Sequence, residues 1–344
     1  MKIAHTLKFY PKSSGLYETA REIIAEEISQ GHDARILDTR EETGYSKYLY
    51  DRGVRTCDLE WFKDADIYII HQMLAEDLLK EITKPIVVVL HGTPEACYMS
   101  DLWDKSHSFN LILDLIKDKR MTFVTLWERH FHFWNNLAPG RITYIPSCVD
   151  FNFFDPEKTE PYEFNGKAGG SPNILFADTW RIVKDPYHIA NAFKLFKKWH
   201  KKARLHIYCR PRDANSKTRK FFDHFLYMLS EGRDSFYGIY DGYNTEIDRV
   251  MRGADLVVTQ QMDETRIVRE SEALGTTVIQ PDASYDYMHP EKFAQKMAQV
   301  WEQMMRGDKY YSPEEIRKRA ILKFDPKVTV AKLVEHFRTR ISLV

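Results

Sequence analysis

The sequence predicts an α/β protein of two domains, each a parallel sheet covered by helices, and three observations carry that expectation. Short apolar, β-branched runs alternate with longer amphipathic segments along the whole 344-residue chain. Strands buried on both faces read as continuous apolar runs, and their alternation with helices marks βα units. The alternation breaks once, over residues 150–172 (DFNFFDPEKTEPYEFNGKAGGSP), which are rich in Pro, Gly and charge and carry no period. The two halves also echo one another, since Ala65-Asp66 opens ADIYII and Ala254-Asp255 opens ADLVVT. The length agrees, at about 150 residues per domain.

In order, strands are expected at Lys2–Leu7, Ala34–Asp38, Asp66–His71, Ile86–His91, Thr122–Leu126 and Ile142–Ile145. A second series follows at Asn173–Ala177, Arg204–Cys209, Ser235–Gly238, Asp255–Thr259 and Thr277–Gln280. Helical periods fall between them, for example at Leu16–Gln30, Tyr187–Lys201, Asn215–Glu231 and Glu291–Arg306. The expected organisation is an N-terminal domain over 1–155, a linker over 156–172 and a second domain over 173–325. An amphipathic helix within 326–344 is expected to pack back across the boundary after Phe324-Asp325-Pro326. Two Rossmann-like domains facing a cleft suit this pattern, because open parallel sheets bind ligands at the carboxyl ends of their strands.

Composition narrows the function classes. The longest apolar runs, such as Ile86–Leu90, are far shorter than the roughly 20 residues of a membrane span, and the mean hydropathy is −0.49. The chain enters the strand-like KIAHTL without a charged-then-apolar leader, so a cytoplasmic protein is expected. Cys57, Cys97, Cys148 and Cys209 are scattered with no C-x-x-C pair, which argues for reduced thiols and against a disulfide framework or zinc knuckle. Net charge is zero, although residues 194–220 hold eleven Lys/Arg against the single acid Asp213. A solvated helix face is the plainer reading of that run, and a binding patch is the alternative.

Several tempting motifs are set aside. Asp64-Ala65-Asp66 spells the D-x-D of metal-dependent transferases, but these acids precede a strand where chelating ones follow it. The same placement recurs at Ala254-Asp255 with no second acid. His130 and His132, two apart on an expected helix, cannot share a metal. No metal site is therefore expected. Phe131, Phe133 and Trp134 read as core, and no phosphate-binding G-x-x-x-x-G-K-[ST] or G-x-G-x-x-G loop occurs.

Four segments, in order, resemble the family 4 retaining glycosyltransferases of GT-B fold, over about residues 1–340. The first is residues 2–37, a strand, the loop Pro11–Gly15, a long helix, then Gly31-His32 and a strand. The second is IVVVLHGTPE (86–95), whose His91 falls on a histidine that touches the donor sugar in the family, with Glu95 and Asp101 just beyond. The third, ITYIPSCVDFNFFDP (142–156), matches a domain-crossing segment with Ser147-Cys148 in place of Asn-Gly. In the fourth, NILFADTWRIVKDPYHIANAF (173–193), Lys184 falls on the family's lysine while Asp178 and Thr179 replace its glycine and arginine. Arg181, two residues on, or Arg210 could supply the guanidinium. Within 254–279, ESEALGTTVI places Glu270 on the glutamate that holds the donor ribose, and its register with Gly275-Thr276 predicts a loop flanking a strand. The family's first glutamate falls on Met262, with Asp263 and Glu264 adjacent as possible substitutes.

The resemblance implies a metal-independent glycosyltransferase, with a nucleotide-sugar donor as co-substrate, no other cofactor, and retention by front-face substitution. It implies Lys184 and Arg181 on the leaving diphosphate, with Arg210 in reserve, and Glu270 on the ribose. Glu264 and His91 fall to the sugar, and Ser14 and Gly15 to the phosphate loop. Fixed cations suit a leaving diphosphate because they stabilise charge that grows as the glycosidic bond breaks. The acceptor stays open among a glycan, a lipid-linked sugar, a small molecule and a nucleic acid. So does a degenerate member that binds a nucleotide or partner without turnover.

Overall fold

The computed structural model describes residues 1–7, 15–37, 54–71, 79–80, 82–95, 97–98, 108–164, 171–178, 184–208, 236–239, 246–281 and 289–341. Its elements begin with β1 (Lys2–Leu7), α1 (Gly15–Ser29), β2 (Asp33–Leu37), β3 (Arg55–Cys57), α2 (Leu59–Lys63) and β4 (Ile67–His71). Then come β5 (Ile86–Leu90), α3 (Ser108–Lys117), β6 (Met121–Thr125), α4 (Glu128–Leu137) and β7 (Ile142–Tyr144). The second series is β8 (Asn173–Phe176), α5 (Pro186–Trp199), β9 (Arg204–Ile207), β10 (Phe236–Ile239), α6 (Ile247–Gly253) and β11 (Leu256–Val258). It ends with α7 (Arg266–Ala273), β12 (Thr277–Ile279), α8 (Pro290–Met305), α9 (Pro313–Phe324) and α10 (Pro326–Ile341).

The chain forms two compact units, Met1–Asp150 with Phe324–Val344, and Phe151–Lys323. The first holds a parallel sheet of order β3-β2-β1-β4-β5-β6-β7. Its central strands are buried along their length, as the continuous runs IYIIH and IVVVL require. One face packs on α1 and α10 through Tyr17, Ile23, Ile24, Leu333 and Phe337. α10 is further fixed by Thr329 Oγ1 donating to the Pro146 carbonyl at 2.9 Å, and by His336 bonded to Thr122 and Thr143 at 3.0 and 3.1 Å. Arg55–Cys57 pairs with Arg35–Leu37 as β3, a strand without an apolar run to announce it.

The second unit repeats the scheme with the parallel order β10-β9-β8-β11-β12, its α5 and α8 packed over Ile174, Phe176 and Val258. Residues 156–164, part of the expected linker, belong to this unit. The Tyr162 N–H donates to the Arg249 carbonyl at 2.8 Å, and the Phe164 ring lies 4.0 Å from that of His206. Arg317 donates to the carbonyls of Phe151 and Phe154 at 3.2 and 2.7 Å, which holds 151–154 there as well.

The echoed Ala-Asp pairs do one job in both sheets. Asp66 Oδ2 accepts from the Lys2 N–H at 2.8 Å, and Asp255 Oδ2 from the Asn173 N–H at 2.6 Å. Each Asp N–H in turn donates to the carbonyl of that same residue, at 2.9 Å in both cases. The pair therefore locks the start of the first strand to its neighbour across the point where strand order reverses. Asp64 also binds the Lys2 ammonium, so both acids of Asp64-Ala65-Asp66 act on Lys2, at the amino ends of β1 and β4.

Candidate functional site

In an open α/β sheet the crevice for ligands lies at the carboxyl ends of the strands flanking the order reversal. In the second unit those strands are β8 and β11. Just beyond β8 stands Asp178, 5% exposed, and just beyond β11 stands Thr259, whose hydroxyl donates to Asp178 Oδ2. Lys184, two residues before α5, places its ammonium 3.3 Å from Asp178 Oδ1. Asp185 then caps α5, its side chain accepting from the His188 N–H, with φ +38°. A non-glycine residue in that left-handed region is uncommon, and aspartate is among those that tolerate it best. The residue in place of the family glycine is therefore the one that holds the lysine.

The ESEALGTTVI stretch forms α7, the turn at Gly275 and β12. Glu270, expected in a loop flanking a strand, instead lies on α7, 5% exposed and ion-paired with Arg266 one turn earlier. The reason is register: four residues along a helix bring the two side chains onto one face. Glu264 precedes α7 and pairs with Lys323 of α9, while neighbouring Asp263 is buried. Burial pushes the Glu272 carboxyl up to about 6, with Lys323 and Arg319 pulling it down and Glu264 adding to the rise.

In the first unit Gly15 opens α1, where its carbonyl accepts from Thr19 Oγ1 at 2.9 Å. His91 directly follows β5 and is not alone. Its Nε2 lies 2.8 Å from His71 Nδ1, His71 Nε2 lies 3.0 Å from His5 Nδ1, and His5 Nε2 lies 2.7 Å from Glu27 Oε2 of α1. His5, His71 and Glu27 are each 0% exposed. Burial, then the neighbouring His91 and His5, hold the His71 imidazole well below its usual range and so neutral.

Ser14, Thr179, Arg181, Arg210, Asp101, Cys209 and the expected helix Asn215–Glu231 lie outside the described residues. Glu95 is exposed. His130 is buried and His132 exposed, so the two lie on different faces of α4. Trp134 is core, whereas Phe133, expected there too, is 43% exposed, because α4 turns it to the solvent side. Cys57, Cys97 and Cys148 are buried and form no disulfide, and burial pushes the Cys57 thiol up to about 12. Among the described residues no group of three His, Cys, Asp or Glu is placed to hold a metal ion, and no helix is long and apolar enough to cross a membrane. Sequence reasoning missed Asp178, Thr259, Glu27, His5 and His71. The signal for the histidines was present, one near the end of each of KIAHTL, IYIIH and VVVLH.

No protein-family model and no curated protein sequence matches the chain. Solved structures do. HepE from Anabaena, in complex with UDP and glucose, superposes with a TM-score of 0.72 at 10% identity, over 98% of this chain and 100% of that one. A glycosyltransferase from Rickettsia africae gives 0.70 at 15% identity, over 100% and 99%. An alpha-glucosyltransferase bound to UDP and a DNA 13-mer gives 0.67 at 12% identity, over 98% and 99%. The likeness spans both units and shows the fold: two Rossmann-like domains of the GT-B type.

Proposed function

We propose that the chain is a glycosyltransferase that moves a sugar from a uridine diphosphate donor to an acceptor hydroxyl, with retention and without a metal. The observation that carries this reading is Lys184, a cation held by a buried carboxylate at 3.3 Å where the second sheet reverses its strand order. The full-length likeness to structures that hold UDP supports the choice of nucleotide. In this reading the acceptor oxygen attacks the anomeric carbon from the side of the leaving phosphate. The C–O bond to phosphate breaks as the new one forms, and the hydroxyl proton passes to the phosphate oxygen.

Lys184 stabilises the charge growing on the diphosphate, with Arg181 or Arg210 as its guanidinium partner. Glu270 accepts from the ribose hydroxyls once Arg266 releases one of its oxygens. His91 and Glu264 are assigned to the sugar, and Ser14 and Gly15 to the phosphate loop. The experiment is a thermal-shift titration with UDP, GDP, ADP and their sugars, followed by a donor-hydrolysis assay. A bound ligand raises stability by mass action. Stabilisation by UDP with slow release of free sugar supports the reading. Binding without any turnover points to a degenerate nucleotide-binding member, and no stabilisation by any of these nucleotides refutes it.

A second reading, a transferase acting on nucleic acid, has the basic run 194–220 and the DNA-bound structural neighbour in its favour. DNA affinity falling steeply with salt would support it, because neutralised phosphates release counterions.

A further inference from the structure

The three histidines share one face of the first sheet because of strand register. His5 of β1 lies opposite Ile69 of β4, and His71 is two residues further on, hence on the same face. His71 lies opposite Val89 of β5, and His91 is again two residues on. The rings therefore step diagonally across adjacent strands toward the carboxyl ends. The His5 and His71 rings lie 5.3 Å apart at 17°, and those of His71 and His91 lie 5.0 Å apart at 46°. α1 covers this face and sets Glu27 at the inner end. His91, partly exposed, is the outer end.

Such a chain has two self-consistent proton arrangements. In the first, each ring carries its proton on Nε2: His5 donates to Glu27, His71 to His5, and His91 to His71. His91 Nδ1 then carries no proton, and Glu27 keeps an uncompensated charge in a fully buried site. In the second, one more proton has entered at His91 Nδ1. The His91 Nε2 proton passes to His71 Nδ1, and the His71 Nε2 proton passes to His5 Nδ1. His91 and His71 stay neutral, and the added charge rests on His5 beside Glu27. Burying a lone carboxylate is costly and pairing it recovers much of that cost, so the second arrangement is favoured. Glu27 Oε1, buried and without a hydrogen-bond partner among the described residues, adds to the need for a cation at its other oxygen.

We propose that Glu27, His5 and His71 are positioning residues that set the proton on His91, presenting Nδ1–H as a neutral donor while the accompanying charge sits two rings deeper. The use of that donor on a sugar rests on the glycosyltransferase reading above. A neutral donor suits the task, since breaking a glycosidic bond leaves positive charge at the anomeric carbon, which an imidazolium would repel. Among the described residues, titratable groups on this side of the sheet include His32, just after α1, and His336 and Arg338 of α10. His32 feels Glu27 and Arg338, and His336 is bonded to Thr122 and Thr143.

The test is nitrogen NMR on the histidine-labelled full chain, free of ligand, between pH 5.5 and 8.5. At neutral pH the expected spectrum has His5 protonated on both nitrogens and His91 on Nδ1 alone. Glu27→Gln should remove the His5 cation and return His91 to the Nε2–H form together. A neutral His5 throughout, or the same His91 tautomer with and without Glu27, would overturn the proposal. Should Glu27→Gln not fold, the wild-type spectrum decides alone. In turnover, Glu27→Gln should lower kcat/KM for the donor on the order of tenfold, as loss of an orienting partner does. In a His91→Gln background it should cost nothing more, whereas a merely structural role would add its loss in both backgrounds. Failure of the glycosyltransferase reading shows separately, as absence of donor turnover in the wild type, and leaves the NMR outcome to judge the proton arrangement.

Discussion

Substituting Gly275 by alanine should destabilise the second unit in two separable ways. Gly275 follows the end of α7 with φ +76°, and its N–H donates to the Glu272 carbonyl at 3.0 Å. An L side chain in that conformation costs about 1–2 kcal/mol. The added Cβ would also stand 2.7 Å from the Pro313 carbonyl oxygen and 3.0 Å from Pro313 Cβ. These atoms begin α9 and cannot swing aside as a long side chain would, because Arg317 ties that helix to the carbonyls of Phe151, Phe154 and Ala273. Overpacking of this kind costs about 1–3 kcal/mol, so the total is roughly 2–5 kcal/mol. Gly307→Ala is the internal control, with φ +75° in the same unit and nothing within 4 Å of the added atom. It should show the backbone cost alone. The assay is urea unfolding of both variants and the wild type, compared at equal m-values. If Gly275→Ala loses no more than Gly307→Ala, α9 yields and the argument for a rigid contact fails.

Glu272→Gln tests the carboxyl pushed up to about 6 from 4.5. A raised acid contributes its stability fully below the unfolded value and loses it as pH rises through about 6. The variant should therefore gain roughly 1–2 kcal/mol at pH 7 and nothing at pH 4, read by urea unfolding at both pH values. Lys184→Ala should lower turnover about a hundredfold while changing donor affinity much less. Asp178→Asn should weaken both, by freeing the ammonium from its fixed position, and full turnover in Lys184→Ala would mean the leaving-group site lies on another loop. Sugar transfer should survive exhaustive EDTA treatment, and loss that Mn²⁺ or Mg²⁺ restores would overturn the metal-free mechanism.

The amino-acid sequence by itself determined where every described strand but β3 lies, because a strand buried on both faces must be apolar throughout, as IVVVL and LVV are. It also marked the start of the second unit's candidate site, through the lysine at 184 and the glycine turn at 275. Strand order and register were beyond it, and these decided the rest. β3 has too few residues to carry a pattern and exists because β2 offers an open edge. Residues 156–164, polar and without period, are ordered by Arg249 and His206, partners supplied from other parts of the fold. Glu270 looked like a loop residue until helix geometry set it beside Arg266. Asp178 looked like a lost glycine, although it holds Lys184, since its bond to Thr259 joins strands far apart in the chain. The Glu27–His5–His71–His91 chain is the clearest case. Each histidine is visible in its own strand, but a parallel sheet makes lateral neighbours of distant segments, and only the assembled register brings the three rings within hydrogen-bonding distance.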